Sequence, residues 1–183
     1  MKEAANDDIA NTVRLAVSKR KRELPQSALE PVTGSNAIGF YTWGTRIRFG
    51  FGGQAREFLR AGWNYDEPGF VWTEGVRASI GMRIKPPSGD IRLSLCAKAM
   101  TTHHKPRQTL RLRSNANVDL NWVVSGEFSW MRGRLFYQQI CGLKELLIDL
   151  VSEAPVTPAS VGLGDDTRVL GVAVAELIME MDQ

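Results

Sequence analysis

Two segments nearly a hundred residues apart carry the side chains best suited to chemistry. The first, residues 62–75, sets the rings of Trp63, Tyr65, Phe70 and Trp72 among Asn64, Asp66, Glu67 and Glu74. The second, residues 158–171, sets Asp165, Asp166 and Arg168 beside Gly162 and Gly164. Sugars offer C–H faces that stack on aromatic rings and hydroxyls that pair with carboxylates and amides, so the first segment has the chemistry of carbohydrate recognition. The candidate ligand-binding residues are therefore Trp63, Tyr65, Glu67, Trp72, Asp165, Asp166 and Arg168. The competing reading is structural. The tryptophans then pin an irregular loop to a core, Trp72 being the stronger core candidate because it opens a strand pattern, while Glu67 caps backbone or pairs with an arginine. Exposed and coplanar rings at Trp63 and Tyr65 favour sugar; buried rings favour a scaffold.

In the second segment Gly162 and Gly164 permit positive φ and a sharp turn. Adjacent carboxylates in such a turn are a weak Ca²⁺ signal, and their spacing is not that of an EF-hand. The alternative is an Asx-type turn closed by an Arg168 ion pair. A specific version joins the segments: Arg168 pairs with Glu67, both buried, at one end of the domain, where breaking the pair is costly. Catalytic constellations are thin. Glu67 with Asp165 or Asp166 has the composition of a glycosidase pair, whose activity depends on a separation that sequence does not give. His103 and His104 fall in a polar loop, and no G-x-S-x-G, Walker or H-E-x-x-H pattern occurs. The glycines of Gly50-Phe51-Gly52-Gly53 lack a strand–loop–helix setting and fit a turn or bulge. The chain is read as a non-enzyme with no cofactor beyond the Ca²⁺ option.

The elements that must position these residues are strands. Ala78, Ile80, Met82 and Ile84 alternate with polar or small residues, as do Ile91, Leu93, Leu95, Ala97 and Ala99, then Leu110 and Leu112, then Val118, Leu120, Trp122 and Val124. Period two marks half-buried strands. The breaks carry turn chemistry: Pro86-Pro87-Ser88-Gly89-Asp90, Ser114-Asn115-Ala116-Asn117 and Ser125-Gly126. Residues 168–180 fit a closing strand through Val169, Gly171, Ala173, Ala175, Leu177 and Met179, although the Ala/Glu/Leu/Met content of 173–181 also suits a helix. Ahead of these, residues 6–23 read as a helix, with Asn6, Asp7 and Asp8 at its start and Lys19-Arg20-Lys21-Arg22 in its last turn. Residues 24–37, rich in Pro, Ser and Gly, read as a linker. The expected architecture is all-β: an antiparallel, jelly-roll-like β-sandwich over 38–183, preceded by a helix and linker over 1–37.

Bulk properties narrow the classes. At 183 residues, 43% hydrophobic and 23% charged, the chain suits one self-sufficient domain. Two cysteines are too few for a disulfide framework, and neither has zinc-site spacing. No apolar run reaches 18 residues and no apolar signal core opens the chain, so no membrane span is expected and a cytoplasmic location is. The net charge of +3 is uneven: residues 31–140 hold 15 Lys/Arg against 7 Asp/Glu, and residues 141–183 hold 2 against 8. A basic middle is suited to attract nucleic acid, anionic lipid or an acidic polysaccharide. Its arginines alternate with apolar residues instead of clustering, which favours outward strand positions over a nucleic-acid patch. Exposed sandwich edges leave a homodimer open.

In order along residues 44–180, the strand and glycine turn at 47–53, the aromatic-acidic segment Gly62 to Gly75, the strands 78–84 and 91–99, the strand pair 110–122, the Ile148–Val151 run and the closing Leu163-Gly164-Asp165-Asp166-Thr167-Arg168-Val169-Leu170-Gly171 resemble the β-sandwich accessory domain attached to bacterial glycosyltransferases and related surface-polysaccharide enzymes. The resemblance implies a non-catalytic carbohydrate-associated module. Its partner would be a glycan or a polysaccharide-assembly enzyme. It carries over no catalytic residue.

Overall fold

The computed structural model describes residues 38–182; the helix expected over 6–23 and the linker over 24–37 lie outside the described residues. Eleven strands follow in chain order: β1 (Phe40–Tyr41), β2 (Arg46–Arg48), β3 (Trp63–Glu67), β4 (Phe70–Glu74), β5 (Arg77–Ile84), β6 (Ile91–Ala99), β7 (Arg107–Ser114), β8 (Asp119–Ser125), β9 (Ser129–Leu135), β10 (Glu145–Ser152) and β11 (Leu170–Met181). They form a five-stranded sheet, β1-β5-β10-β7-β8, and a six-stranded sheet, β3-β4-β11-β6-β9, in which β2 also pairs with β11. Every pairing is antiparallel except the two-residue β1–β5 contact. The all-β sandwich is therefore present.

Alternation builds it. Ala78, Ile80, Met82 and Ile84 of β5, Leu110 and Leu112 of β7, and Leu146, Ile148 and Leu150 of β10 are buried on one inner face. Opposite them lie Ile91, Leu93, Leu95 and Ala97 of β6 with Val172, Val174, Leu177 and Met179 of β11. Each large aliphatic side chain buried this way contributes up to roughly 1.5–3 kcal/mol. Tyr41 is the polar exception inside the core. Its single hydroxyl proton has the carbonyls of Thr45 (2.6 Å) and Met179 (3.0 Å) as acceptors, and its oxygen accepts from the Met179 N–H, so its burial leaves no orphan. Burial, partly offset by the Met179 contact, pushes its pKa up to about 12.

Two bulges set the faces. Val174 stands opposite Ala97 and Glu176 opposite Cys96, so Ala175 is an extra residue in β11. Its insertion shifts the inward phase from Val172 and Val174 to Leu177 and Met179. The closing strand is thus confirmed, but its first half faces the other way from a strict period-two reading. In β3, Trp63 pairs with Thr73 and Asp66 with Val71, so Asn64 and Tyr65 together oppose Trp72. Among the elements not anticipated are β9 and the single turn α1 (Tyr137–Ile140), which buries Ile140 and whose Gln139 Oε1 accepts from the Phe136 N–H at 3.0 Å. Among the described residues no helix is long and apolar enough to cross a membrane.

Candidate functional site

The two segments singled out in the sequence do meet. The β4–β11 pairing brings them together, and the Gly75 N–H donates to the Val169 carbonyl at 2.7 Å. Arg168 is the clasp. Its Nε donates to both Asp166 oxygens at 3.0 and 2.9 Å, and its Nη2 to Asp166 Oδ2 at 2.5 Å. The same Nη2 reaches Glu67 Oε1 at 3.4 Å, and the guanidinium sits 4.5 Å from the centre of the Tyr65 ring. The expected Arg168–Glu67 pair exists, but as the longer arm of a bracket whose main partner is Asp166. The participants are half-buried, not buried, with side chains 22–32% exposed. Asp166 also accepts the Arg168 backbone N–H at 2.9 Å, the Asx-type turn expected there. The Arg168 hydrogen bonds hold the Asp166 carboxyl below its usual 3.8.

This arrangement absorbs most of the predicted site residues into structure. Trp63 is 2% exposed, packs on Phe49 and donates its indole N–H to the Ser79 carbonyl at 2.8 Å, so it offers no ring face to a ligand. Trp72 is 7% exposed and packs with Leu170 and Ala173. Tyr65 is half-buried beneath Arg168, and Asp166 is turned to the guanidinium rather than to an open cation site. Asp165 is exposed. By the criterion set from the sequence, the burial of Trp63 favours a scaffold role for this corner, while Tyr65 is only half-buried. Among the described residues no three His, Cys, Asp or Glu side chains converge on a metal-sized site.

The surface that packing does not explain is the outer face of the six-stranded sheet. Strand register lays it out in rows. Arg48, Glu176, Cys96 and Trp130 form one row across β2, β11, β6 and β9. Arg46, Ile178, Ser94 and Arg132 form the next, and Glu180, Arg92 and Arg134 the one after. At about 4.8 Å per strand, the first row spans roughly 14 Å. Two hollows occupy this face. One, of about 680 Å³, is walled by Arg48, Phe51, Phe70, Phe128, Trp130 and Glu176 among others. Its neighbour, of about 500 Å³, lies between Arg92, Ser94, Arg132, Ile178 and Glu180, and Trp130 borders both. Trp130 is 42% exposed.

Local structure explains why these side chains point outward. On β9, Met131 and Leu135 are buried, which sends Trp130, Arg132 and Arg134 to solvent. The β11 bulge brings Glu176 and Ile178 onto the same face. Gly50, at φ +83°, turns the chain after β2 so that the Phe51 N–H donates to the Glu67 carbonyl at 3.1 Å, fixing Phe51 at the mouth of the larger hollow. Lys98 sits beside two walls of that hollow, its ammonium 4.9, 4.8 and 5.8 Å from the rings of Phe70, Phe128 and Trp72. Cys96 is among the lining residues, and burial and then Glu176 push its thiol up in pKa. Trp130 was missed in the sequence because residues 129–135 were not read as a strand. The alternation of Trp130, Arg132 and Arg134 with Met131, Gly133 and Leu135 was the available signal.

No family model matches this chain, and no curated protein matches it. Among solved structures, it is similar to the CBM22-1 xylan-binding domain from Paenibacillus barcinonensis Xyn10C, at 13% identity and TM-score 0.47, over 79% of this chain and 97% of that one. It is similar to a CBM4 structure at 9% identity and TM-score 0.45, over 68% of this chain and 78% of that one. It is also similar to a family GH115 4-O-methyl-α-glucuronidase, at 6% identity and TM-score 0.49. That match covers 82% of this chain and 19% of the enzyme, and the match to the Cry4Aa toxin from Bacillus thuringiensis covers 23% of the toxin, so the chain spans about a fifth of the length of either.

Proposed function

We propose that this chain is a non-catalytic glycan-binding β-sandwich module, and that it binds through the outer face of the six-stranded sheet rather than through the Trp63–Glu74 segment. The observation that carries the reading is Trp130. It is a large ring left 42% exposed at the junction of two hollows, flanked by Ser94, Arg132 and Glu180 that can bond hydroxyls. A ring that buries up to about 250 Å² has roughly 100 Å² left to cover here. At about 25 cal/mol per Å² full cover is worth roughly 2.5 kcal/mol, and stacking on one face about half of that, which is close to tenfold in affinity. The row from Arg48 to Trp130 gives a track for a chain of sugars rather than a pocket for a single ring.

The finer setting we propose is the one implied by the resemblance: the module holds glycan beside an enzyme of polysaccharide assembly. The test is a glycan-array screen of the full chain beside Trp130→Ala and Trp63→Phe. The reading expects binding that drops about tenfold in Trp130→Ala, with unchanged melting, and persists in Trp63→Phe. Binding lost in Trp63→Phe at unchanged melting, but kept in Trp130→Ala, would return the site to the first segment. A folded protein that binds no glycan would refute the module reading.

A further inference from the structure

The charges of this face divide unequally. Glu176 is engaged by Arg46 at 2.9 Å and Glu180 by Arg92 at 2.6 Å, so both carboxylates that border the hollows already have cations. Arg48 and Arg132 also border the hollows and form no ion pair among the described residues. Lys98 is held by three rings and has no carboxylate partner among the described residues either. What remains on the face without an opposite charge among the described residues is therefore positive: two guanidinium groups and an ammonium, none of which can accept. A neutral sugar presents hydroxyls that both donate and accept, and it is matched best by a mixture of carboxylates, amides and donors. A surplus of unpaired cations beside a stacking ring matches an anionic group on the ligand, and a guanidinium fits the two oxygens of a carboxylate or sulfate in parallel.

We propose that the face selects an acidic glycan, whose rings carry carboxylate or sulfate, with Arg48, Arg132 and Lys98 as its cation set and Trp130 as its stacking platform. This rests on the glycan-binding reading above. The cations are spread along the track, with Arg48 about 14 Å across the sheet from Trp130, Arg132 one register step further along β9, and Lys98 at the aromatic end. The spacing suits charge repeated along a polymer better than one terminal acid.

The experiment is affinity measurement on the full chain at 0.15 M salt. The probes are polygalacturonate, its carboxyl-reduced form, dextran sulfate, dextran and polyglutamate, each also tested against the double variant Arg48→Gln/Arg132→Gln. The proposal expects the uronate or the sulfated polymer to bind at least tenfold more tightly than its neutral counterpart and than polyglutamate. It also expects the double variant to lose at least tenfold for that polymer while melting as the parent does. The two acidic arms show which oxyanion is preferred. Equal binding of acidic and neutral polymers, unchanged in the double variant, would overturn the acidic selectivity and leave the glycan reading standing. Polyglutamate bound as tightly as the acidic sugars would reduce the face to a charge patch, and no binding to any polymer would remove both readings.

Discussion

Removing the Arg168 guanidinium tests the reading of the first segment as scaffold. Arg168→Ala deletes the fork to Asp166, the 3.4 Å contact to Glu67 and the cation–π contact to Tyr65. Breaking a fully buried pair by removing one partner costs about 3–5 kcal/mol, and an exposed pair is worth about 0–1. Side chains 22–32% exposed place this bracket between those limits. The Tyr65 contact adds about 0.5–1 kcal/mol. Against that, Arg168 Nη1 is buried with no hydrogen-bond partner, so its removal relieves about 1 kcal/mol of desolvation. The net loss is about 2 kcal/mol, or roughly 4–8 °C in Tm for a domain of this size. Glu67→Gln removes only the long arm and is expected to cost about 0.5 kcal/mol, whereas Asp166→Asn costs about 1–1.5 kcal/mol because it removes the charge from the short arms. Calorimetric melting of the three variants, with double-mutant cycles of Arg168→Ala against each carboxylate, reads this order directly. Arg168→Ala melting within 1 °C of the parent, or Glu67→Gln costing more than Asp166→Asn, would refute the bracket as described.

Three further outcomes are expected. Gly50→Ala should lose about 2–3 kcal/mol in urea unfolding, because φ +83° is strained for alanine and the added Cβ would run into the Glu67 carbonyl and the Phe70 amide; a loss below 0.5 kcal/mol would show that the turn relaxes freely. Leu93→Ala, at 0% exposure in the centre of β6, should cost about 2–5 kcal/mol by the same assay, and a surface-like value would misplace the core. Acid should destabilise the fold through carboxylates held below their usual pKa. These are Asp166, through the Arg168 hydrogen bonds, and Asp149, where burial opposes but the Arg77 and Ser79 hydrogen bonds prevail. A depressed folded pKa gives stability that is present above the usual value of 3.8 and lost as pH falls through the folded value. The melting temperature should therefore fall more steeply below about pH 4 in the parent than in Asp166→Asn. An identical acid slope in the two proteins would remove Asp166 from that account.

The sandwich was legible in the sequence wherever strands keep strict alternation. The stretch Ile91 to Ala99 reads as β6 residue for residue, because one face is core and the other is not. Bulges were not legible, since a single inserted residue leaves no compositional mark. Ala175 flips the phase of β11, and the doubled Asn64–Tyr65 pair re-aims β3. The joining of residues 62–75 to Arg168 was foreseen from charge type. Its dominance by Asp166 was not, because an i,i+2 contact depends on the turn that Asp166 itself closes. The proposed binding face escaped for a different reason. Its residues come from β2, β6, β9 and β11, and only strand order puts Arg48, Glu176, Cys96 and Trp130 in line. Of the aromatic cluster dense in sequence, Trp63 and Trp72 are buried, while the exposed Trp130 lies outside that cluster.

The position of β11 also dictates when this domain can fold. It is the last strand of the described residues, yet β2, β4 and β6 all pair with it. Until it leaves the ribosome, the β3–β4 hairpin and the β6–β9 pair are separate ribbons with unpaired edges, and β2 has no strand to join. Nearly all of the six-stranded sheet must therefore assemble after its closing strand is synthesised, across contacts that span most of the chain. Such a topology folds slowly and exposes sticky strands while it waits. Nascent chains halted before residue 170 should stay protease-sensitive, and protection should arrive in one step once Leu170–Met181 is free to insert.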